Sequence, residues 1–152
     1  MTIELTYGES EEIDAPIEAI YDHRLDFVKL ADYNENVKNI RLTKDGKGKL
    51  GAGAEYVFDL TLPGWDPMEA FLNVISTDKP NEIVTDTGTA ALAGREVNTF
   101  EKLPNGAVKF TIQFTILVPD EAKDGLDWME KSGRDQYRLE LEAIKKTLEV
   151  GA

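Results

Sequence analysis

The sequence has 152 residues, of which 41% are hydrophobic and 30% are charged. This length suits a single domain over residues 1–152, because domains of about 100–150 residues are the commonest size. The absence of cysteine excludes a disulfide framework, a thiol nucleophile and a thiolate metal site. A single histidine argues against a histidine-rich metal centre. We therefore expect neither a metal nor a cofactor.

Acidic residues outnumber basic residues by 29 to 17, which gives a formal net charge of −12. A field of this sign repels phosphate backbones and anionic lipid surfaces, so nucleic acid and membrane surfaces are disfavoured as partners. No apolar run approaches the ~18 residues that a membrane span needs, and the N-terminus lacks a signal-peptide pattern. These features predict a cytoplasmic protein that does not insert into membranes.

The N-terminal part of the sequence predicts a strand followed by two short helices. The strand is Thr2–Ile13, which is polar but carries alternating apolar residues. Ala15-Pro16 opens a short amphipathic helix, because proline suits the first helical position and Glu18 complements the positive end of the helix dipole. The second short helix is expected over 27–33, and the Asn-rich segment 34–36 ends it.

From Val37 onward the hydrophobic period changes to two. Turn residues then separate about six consecutive strands. The predicted strands are 37–43, 56–62, 68–77, 83–87, 95–102 and 108–118, and the last of them has the clearest alternation. The inward-facing set on 68–77 is ambiguous, because Phe71 and Ile75 compete with Leu72 and Val74.

The C-terminal third predicts a long helix. Its apolar residues recur every three or four positions over about six turns. These residues are Leu126, Met129, Gly133, Tyr137, Leu141, Ile144 and Leu148. Ser132-Gly133 is compatible with an N-cap for a final helix or with a kink inside a longer one, and the sequence leaves this open.

The order of these elements predicts an α+β fold with an antiparallel sheet. Helices that are grouped outside a run of hairpin-linked strands do not fit a parallel βαβ arrangement. The long helix must then pack its apolar stripe on one face of the sheet. A sheet that curls around the helix leaves a cavity where side chains are too small, and we expect such a gap at Gly133.

Several motifs along nearly the whole chain are shared with one superfamily. They begin with Ile13-Asp14-Ala15-Pro16-Ile17-Glu18-Ala19-Ile20-Tyr21 and continue with Leu25-Asp26-Phe27. Tyr33 stands where many members carry tryptophan, and Gly51-Ala52-Gly53, Asp78-Lys79-Pro80 and the closing helix also fall in the expected places. On these motifs the chain resembles the START-like (SRPBCC) superfamily, in particular its polyketide cyclase/dehydrase and lipid-transport branch.

The resemblance implies the helix-grip fold. In that fold a seven-stranded antiparallel sheet curls around a long C-terminal helix, two short helices follow strand 1, and a hydrophobic pocket lies between sheet and helix. The resemblance implies no catalytic residues, because the superfamily has no shared catalytic signature.

Aromatic residues are the main candidates to line such a cavity, although a packed core uses the same residue types. Trp65 differs because it lies in a polar loop, which in helix-grip folds is near the pocket mouth. Arg95 and Glu96 face opposite sides of one strand, so one of them points inward. The candidate ligand-binding residues are Tyr56, Phe58, Trp65, Phe71, Arg95, Phe110, Phe114, Trp128, Met129, Gly133 and Tyr137.

The other polar residues are better explained without a functional role. His23 has no second histidine as a partner and is expected to be a surface or partly packed helical residue. Glu140, beside Leu141 on the last helix, is expected to face solvent. The Gly-rich stretches 46–53 and 88–94 lack the spacing of phosphate-binding loops and are expected to be hairpin turns.

Three functions remain open at this point. Binding of a small hydrophobic molecule, which is lipid-, aromatic- or polyketide-like, is favoured because the inward-facing positions are mostly apolar. A polyketide cyclase/aromatase- or dehydratase-type enzyme would use the same cavity but needs polar groups inside it. A protein-interaction module would have a filled core. Whether the chain catalyses any reaction, and whether it forms a homodimer, are also open.

Overall fold

The computed structural model describes residues 2–62 and 64–149 of the chain. The strands in these ranges are β1 (Thr2–Ile13), β2 (Val37–Lys44), β3 (Glu55–Leu60), β4 (Met68–Asp78), β5 (Glu82–Thr89), β6 (Ala93–Lys102) and β7 (Val108–Pro119). The α-helices are α1 (Ile17–Leu25), α2 (Leu30–Tyr33) and α3 (Leu126–Glu149). Short 3-10 helices cover Phe27–Lys29, before α2, and Asp120–Gly125, before α3.

Over these described residues the strands form one antiparallel sheet in the order β1-β7-β6-β5-β4-β3-β2. From β2 to β7 each strand pairs with the next one in the chain, and β1 pairs with β7 along its whole length. The sheet curls around α3. The prediction of an α+β helix-grip fold with a seven-stranded sheet is therefore confirmed.

The alternation of apolar and polar residues sets which face of each strand is buried. In β7, every second residue from Val108 to Val118 is buried and the residues between them are more exposed. On β4 the inward residues are Ala70, Leu72 and Val74. Phe71 therefore lies on the outer face, which resolves the ambiguity in the sequence of this strand.

The first helix begins directly after Pro16, whose backbone is extended, with φ −60° and ψ 137°. Its inward face carries Ile17, Ile20 and Tyr21, together with the charged residue Arg24. The presence of an arginine on this buried face requires buried partners elsewhere in the fold.

The C-terminal helix runs without interruption from Leu126 to Glu149, so Ser132 is not an N-cap. It lies along β1, which ends the strand order of the sheet. Arg134 donates to the carbonyl oxygen of Gly8 at 3.1 Å, and Arg138 donates to that of Ser10 at 3.0 Å. Basic residues of α3 thus satisfy edge carbonyls of β1, which would otherwise be open to pairing with another chain.

Within the described residues no helix is both long and apolar enough to cross a membrane.

Candidate functional site

A cavity lies between the inner face of the sheet and α3. Its volume is about 650 Å³, within the range of about 300–1,000 Å³ that is typical of small-molecule sites. Most of its wall is apolar. The apolar strand residues in this wall include Leu5, Phe58, Leu60, Leu72, Phe114 and Ile116. A space of this size and character suits a small, largely apolar molecule.

Small residues keep the cavity open. Ala70 of β4 lines it on the sheet side, where a larger inward-facing residue would fill the space. Ala122 and Gly125 line it from the 3-10 helix that precedes α3. Protein interiors otherwise pack with few voids, so this set of small residues explains why the core is not filled here.

The side chain of Tyr7, on β1, packs against α3 at Gly133. A Cβ atom added at Gly133 would overlap the ring and hydroxyl of Tyr7. Gly133 does line the cavity, but the expectation of an empty gap at this glycine is wrong, because the tyrosine ring occupies it. The ring of Tyr7 is 5.7 Å from that of Phe114 and 6.0 Å from that of Tyr137, so the three form an aromatic wall.

Most of the candidate residues from the sequence are brought together around this cavity. Those that line it are Phe58, Trp65, Phe114, Trp128, Met129, Gly133 and Tyr137. They come from β3, β7, α3 and the loop between β3 and β4, so the curled sheet brings distant segments to one wall.

Two of the remaining candidates are buried elsewhere in the core. The ring of Tyr56 meets that of Phe27 edge-on, with centroids 5.8 Å apart. The ring of Phe110 stacks on that of Phe100 at 4.6 Å. Both residues point inward as expected, but neighbouring aromatic rings fill the space around them, and neither lines the cavity.

The other two candidates lie on the outer face of the sheet. Phe71 faces outward because its neighbours Ala70 and Leu72 face inward. Arg95 is exposed and donates from Nε to Oδ1 of Asp86 at 2.9 Å. The inward-facing member of the Arg95/Glu96 pair is therefore Glu96, which lines the cavity.

A cluster of buried charges forms the floor of the cavity. Arg24 of α1 donates to Oε1 of Glu96 at 3.2 Å and to Oε1 of Glu140 at 2.9 Å. The exposed fractions of these three residues are only 1%, 4% and 6%. The expectation that Glu140 faces solvent is therefore wrong. Its carboxylate can be buried because Arg24, on α1, forms an ion pair with it.

Polar residues complete this cluster. Asn98 accepts from Nε of Arg24 at 2.8 Å, and Asn34 donates to Oε2 of Glu140 at 2.9 Å. The hydroxyl of Tyr137 donates to Oε2 of Glu96 at 2.9 Å. These hydrogen bonds make the buried carboxylates tolerable in an otherwise apolar interior.

Two carboxylates share one guanidinium in this cluster. Burial and these charges shift the pKa values of Glu140 and Arg24 from their ordinary values. Burial raises the pKa of Glu140, and Arg24 only partly offsets this effect. Burial works against the charged form of Arg24, but Glu96 and Glu140 hold its pKa above the usual value. Burial and then the charge of Glu96 raise the pKa of Tyr7 to about 12, so its hydroxyl keeps its proton.

The sequence contains a signal for this cluster that the expectations missed. Arg24 falls at helical spacing on the apolar face of α1, after Ile20 and Tyr21. Glu140 lies three residues after Tyr137 and four before Ile144, within the apolar stripe of α3. A charge inside an apolar stripe indicates a buried, paired group.

The mouth of the cavity carries the two tryptophans. Trp65, in the loop between β3 and β4, and Trp128, in the first turn of α3, have ring centroids 5.4 Å apart. Their exposed fractions are 55% and 42%, and both line the cavity. An exposed aromatic pair at an opening is a typical contact surface for an apolar molecule.

The remaining polar candidates do not add a second site. His23 is partly buried, and its ring stacks on that of Tyr33 at 5.8 Å. Burial, followed by the nearby Lys29, lowers the pKa of His23. Over residues 2–62 and 64–149, no group of three or more His, Cys, Asp or Glu residues is arranged to hold a metal ion.

Comparison with known proteins gives relatives at the level of structure. No family model matches the sequence, and no curated protein matches it. The di-domain ARO/CYC StfQ from the steffimycin biosynthetic pathway superposes with a TM-score of 0.81 at 11% identity over 98% of this chain. The chain spans about half of that protein, namely 52% of its length.

Two other solved structures are similar over nearly their full length. A START superfamily protein from Mycobacterium smegmatis has a TM-score of 0.73 at 12% identity, over 97% of this chain and 99% of that one. The Zhui aromatase/cyclase from Streptomyces sp. R1128 has a TM-score of 0.76 at 10% identity, over 97% and 94%. At these identities the likeness is one of fold, and the chain has the START/SRPBCC-like fold.

Proposed function

We propose that this protein binds a small hydrophobic molecule, of lipid-, aromatic- or polyketide-like character, in the cavity between the sheet and α3. The observation that carries the proposal is the cavity of about 650 Å³ with its largely apolar wall. Removing apolar surface from water stabilises a complex by roughly 25 cal/mol for each Å² that is buried. An apolar cavity of this size therefore favours an apolar occupant over water.

The placement of the candidate residues supports the same proposal. Phe58, Phe114 and Tyr137 contribute aromatic surface to the wall, and Trp65 with Trp128 does so at the mouth. A filled-core interaction module is disfavoured, because a filled core would leave no cavity.

The test begins with the protein as purified. Native mass spectrometry, followed by denaturing extraction, reports whether a hydrophobic passenger is bound. Titration with Nile red, a neutral apolar dye, reports whether the cavity accepts one. We expect a stoichiometric passenger or saturable dye binding. A folded protein with neither would overturn the proposal.

A cavity-filling variant shows where binding takes place. Ala70→Phe places a ring in the cavity wall, and we expect it to weaken dye binding by about tenfold or more. Ala19→Phe is the matched control, because Ala19 is exposed on α1 and does not line the cavity. Circular dichroism and thermal unfolding show that both variants are folded.

A second candidate function is an enzyme of the polyketide cyclase/aromatase or dehydratase type. The polar floor favours it, because Glu96, Glu140 and the Tyr137 hydroxyl can hold and move protons within an apolar cavity. The test is ring closure of a poly-β-ketone thioester, followed by mass spectrometry of the products. A binding-only protein gives no protein-dependent product. An enzyme gives product that Tyr137→Phe reduces while Nile red binding is retained.

A further inference from the structure

The floor of the cavity holds more carboxyl groups than guanidinium groups. Among the cavity-lining residues in the described part of the chain, the charged ones are Arg24, Glu96 and Glu140. One guanidinium against two carboxylates leaves one uncompensated negative charge when both carboxyls are ionised. An uncompensated charge is unfavourable in an apolar interior, so the floor favours a further positive charge.

Among the described cavity-lining residues, Arg24 supplies the one guanidinium, and all three of its nitrogens are already engaged. Its Nε and both terminal nitrogens already donate to Asn98, Glu140 and Glu96. Its planar group also lies over the rings of Phe27 and Phe110, at 5.3 Å and 5.7 Å from their centroids. The guanidinium of Arg24 is therefore already paired, and an anionic ligand would have to compete with Glu96 and Glu140 for it.

Glu140 is the carboxylate with acceptor capacity left. Glu96 accepts from Arg24, Asn98, Thr85 and Tyr137. Glu140 accepts only from Arg24 and Asn34, one hydrogen bond to each oxygen, among the contacts of the described residues. A carboxylate has about four lone-pair positions. Glu140 can therefore accept further donors, and it lines the cavity.

The mouth has the same sign of charge as the floor. Asp66 stands beside Trp65 in the mouth loop, and Asp124 and Asp127 flank the start of α3. All three are exposed, and the nearby basic residues are Lys123 and, on the α3 surface beside Asp127, Lys131 and Arg134. Acidic residues around an opening raise the local concentration of cations and lower that of anions.

We propose that the occupant of the cavity is a cationic amphipathic molecule: a protonated amine donates to Glu140 beside Glu96, and an apolar body extends toward Trp65 and Trp128. This proposal rests on the proposed binding function and names its ligand class. An ammonium supplies three N–H donors and the missing positive charge. Trp128 and Glu140 are twelve residues apart on α3, about 18 Å along the axis, which sets the length available.

The test compares three probes that share one apolar body. They are naphthylethylamine, naphthylethanol and naphthylpropionate, which carry a cationic, a neutral and an anionic head. Isothermal titration calorimetry, or displacement of Nile red, gives their dissociation constants for the intact chain at neutral pH. We expect the amine to bind about tenfold or more tightly than the alcohol, and the carboxylate to bind more weakly than the alcohol.

Two variants assign the preference to the floor rather than to the net charge. Glu140→Gln keeps the shape of the side chain but removes its charge, and we expect it to bring the amine close to the alcohol in affinity. Glu142→Gln changes the net charge by the same amount on the exposed side of α3, and we expect it to keep the preference. Circular dichroism verifies that both are folded.

The outcomes distinguish failure of the cationic ligand class from failure of the proposed binding function. If Nile red and all three probes fail to bind, the binding function itself falls, and the ligand class with it. If Nile red and the alcohol bind but the amine has no advantage, the binding function stands and only the cationic ligand class is overturned. An amine preference that Glu142→Gln abolishes equally also overturns it.

Discussion

The ring of Tyr7 in β1 occupies the space that a side chain at Gly133 of α3 would need. The strand and helix meet at this point, 126 positions apart in sequence, and the contact sets how closely α3 approaches the sheet beside the cavity. Because the contact pairs a large residue with the smallest one, a change at either position alters both packing and cavity shape.

The first prediction concerns this contact. Gly133→Ala should cost about 1–3 kcal/mol in the free energy of unfolding, because its Cβ overlaps the Tyr7 ring. In a Tyr7→Ala background the same change should be neutral or stabilising by up to about 1 kcal/mol, since alanine is the better helix former. Urea denaturation of the four proteins measures this coupling.

Gly125→Ala is the matched control for that cycle. A Cβ atom at Gly125 would meet only Cε of Met129, at an ordinary 3.6 Å. Its effect on stability should be small and independent of Tyr7. An equal loss at Gly125 and Gly133 would contradict the steric explanation.

The second prediction concerns the buried cation. Arg24→Met should destabilise the protein by about 3–5 kcal/mol, because it leaves Glu96 and Glu140 together in the interior without their cation. Arg95→Met is the control, because Arg95 and its partner Asp86 are on the outer face and largely exposed. The control should unfold at nearly the wild-type urea concentration. Similar losses for the two variants would count against a dominant role of the cluster.

The third prediction is a pH dependence of stability. Burial raises the pKa of Glu140 above its ordinary value of 4.5, so the folded state holds this proton more tightly than the unfolded state does. The contribution of Glu140 to stability should therefore be full below pH 4.5 and fall as the pH rises from there through its folded-state pKa.

Glu140→Gln isolates this contribution. The difference in unfolding free energy between wild type and Glu140→Gln should shift against the wild type as the pH rises above 4.5. Glu142→Gln, which removes an exposed carboxyl from the same helix, is the control. A difference that instead moves in favour of the wild type with rising pH would mean that Arg24 outweighs burial at Glu140.

The fourth prediction uses the mouth. Trp65 and Trp128 are the two tryptophans of the chain, so tryptophan fluorescence reports on the opening alone. Trp65→Ala should change the unfolding free energy by about 1 kcal/mol or less, because the ring is more than half exposed. It should weaken Nile red binding several-fold. Saturable dye binding without any change in tryptophan emission would place the dye elsewhere.

Much of the fold follows from the sequence because its signals are local. The alternation from Val108 to Val118 specifies a strand with one buried face, whatever the strand pairs with. Pro16 marks the start of α1, and the apolar period of three or four residues marks α3. The continuity of α3 through Gly133 was not readable, because only the packed Tyr7 ring shows why a glycine stands there.

The site was only partly predictable, because it depends on which inward-facing side chains are covered by other core side chains and which are left beside empty space. Phe110 and Phe114 belong to the same face of the same strand, yet Phe110 is covered by Phe100 while Phe114 lines the cavity. Nothing in the alternation distinguishes them. On β6, alternation says that Arg95 and Glu96 face opposite sides, and the curl of the sheet decides that Glu96 is inside.

The sequence by itself determined the elements, their antiparallel order and the apolar character of the inner face, because these depend on residue types at short spacing. The tertiary structure alone decided the charged floor of the cavity. Glu140 and its partner Arg24 are 116 residues apart, and an isolated glutamate on a helix is read as solvated because burying a charge is costly. The carboxylate of Glu140 can be buried only because the tertiary structure places the guanidinium of Arg24, on α1, beside it and so offsets the cost of removing the charge from water.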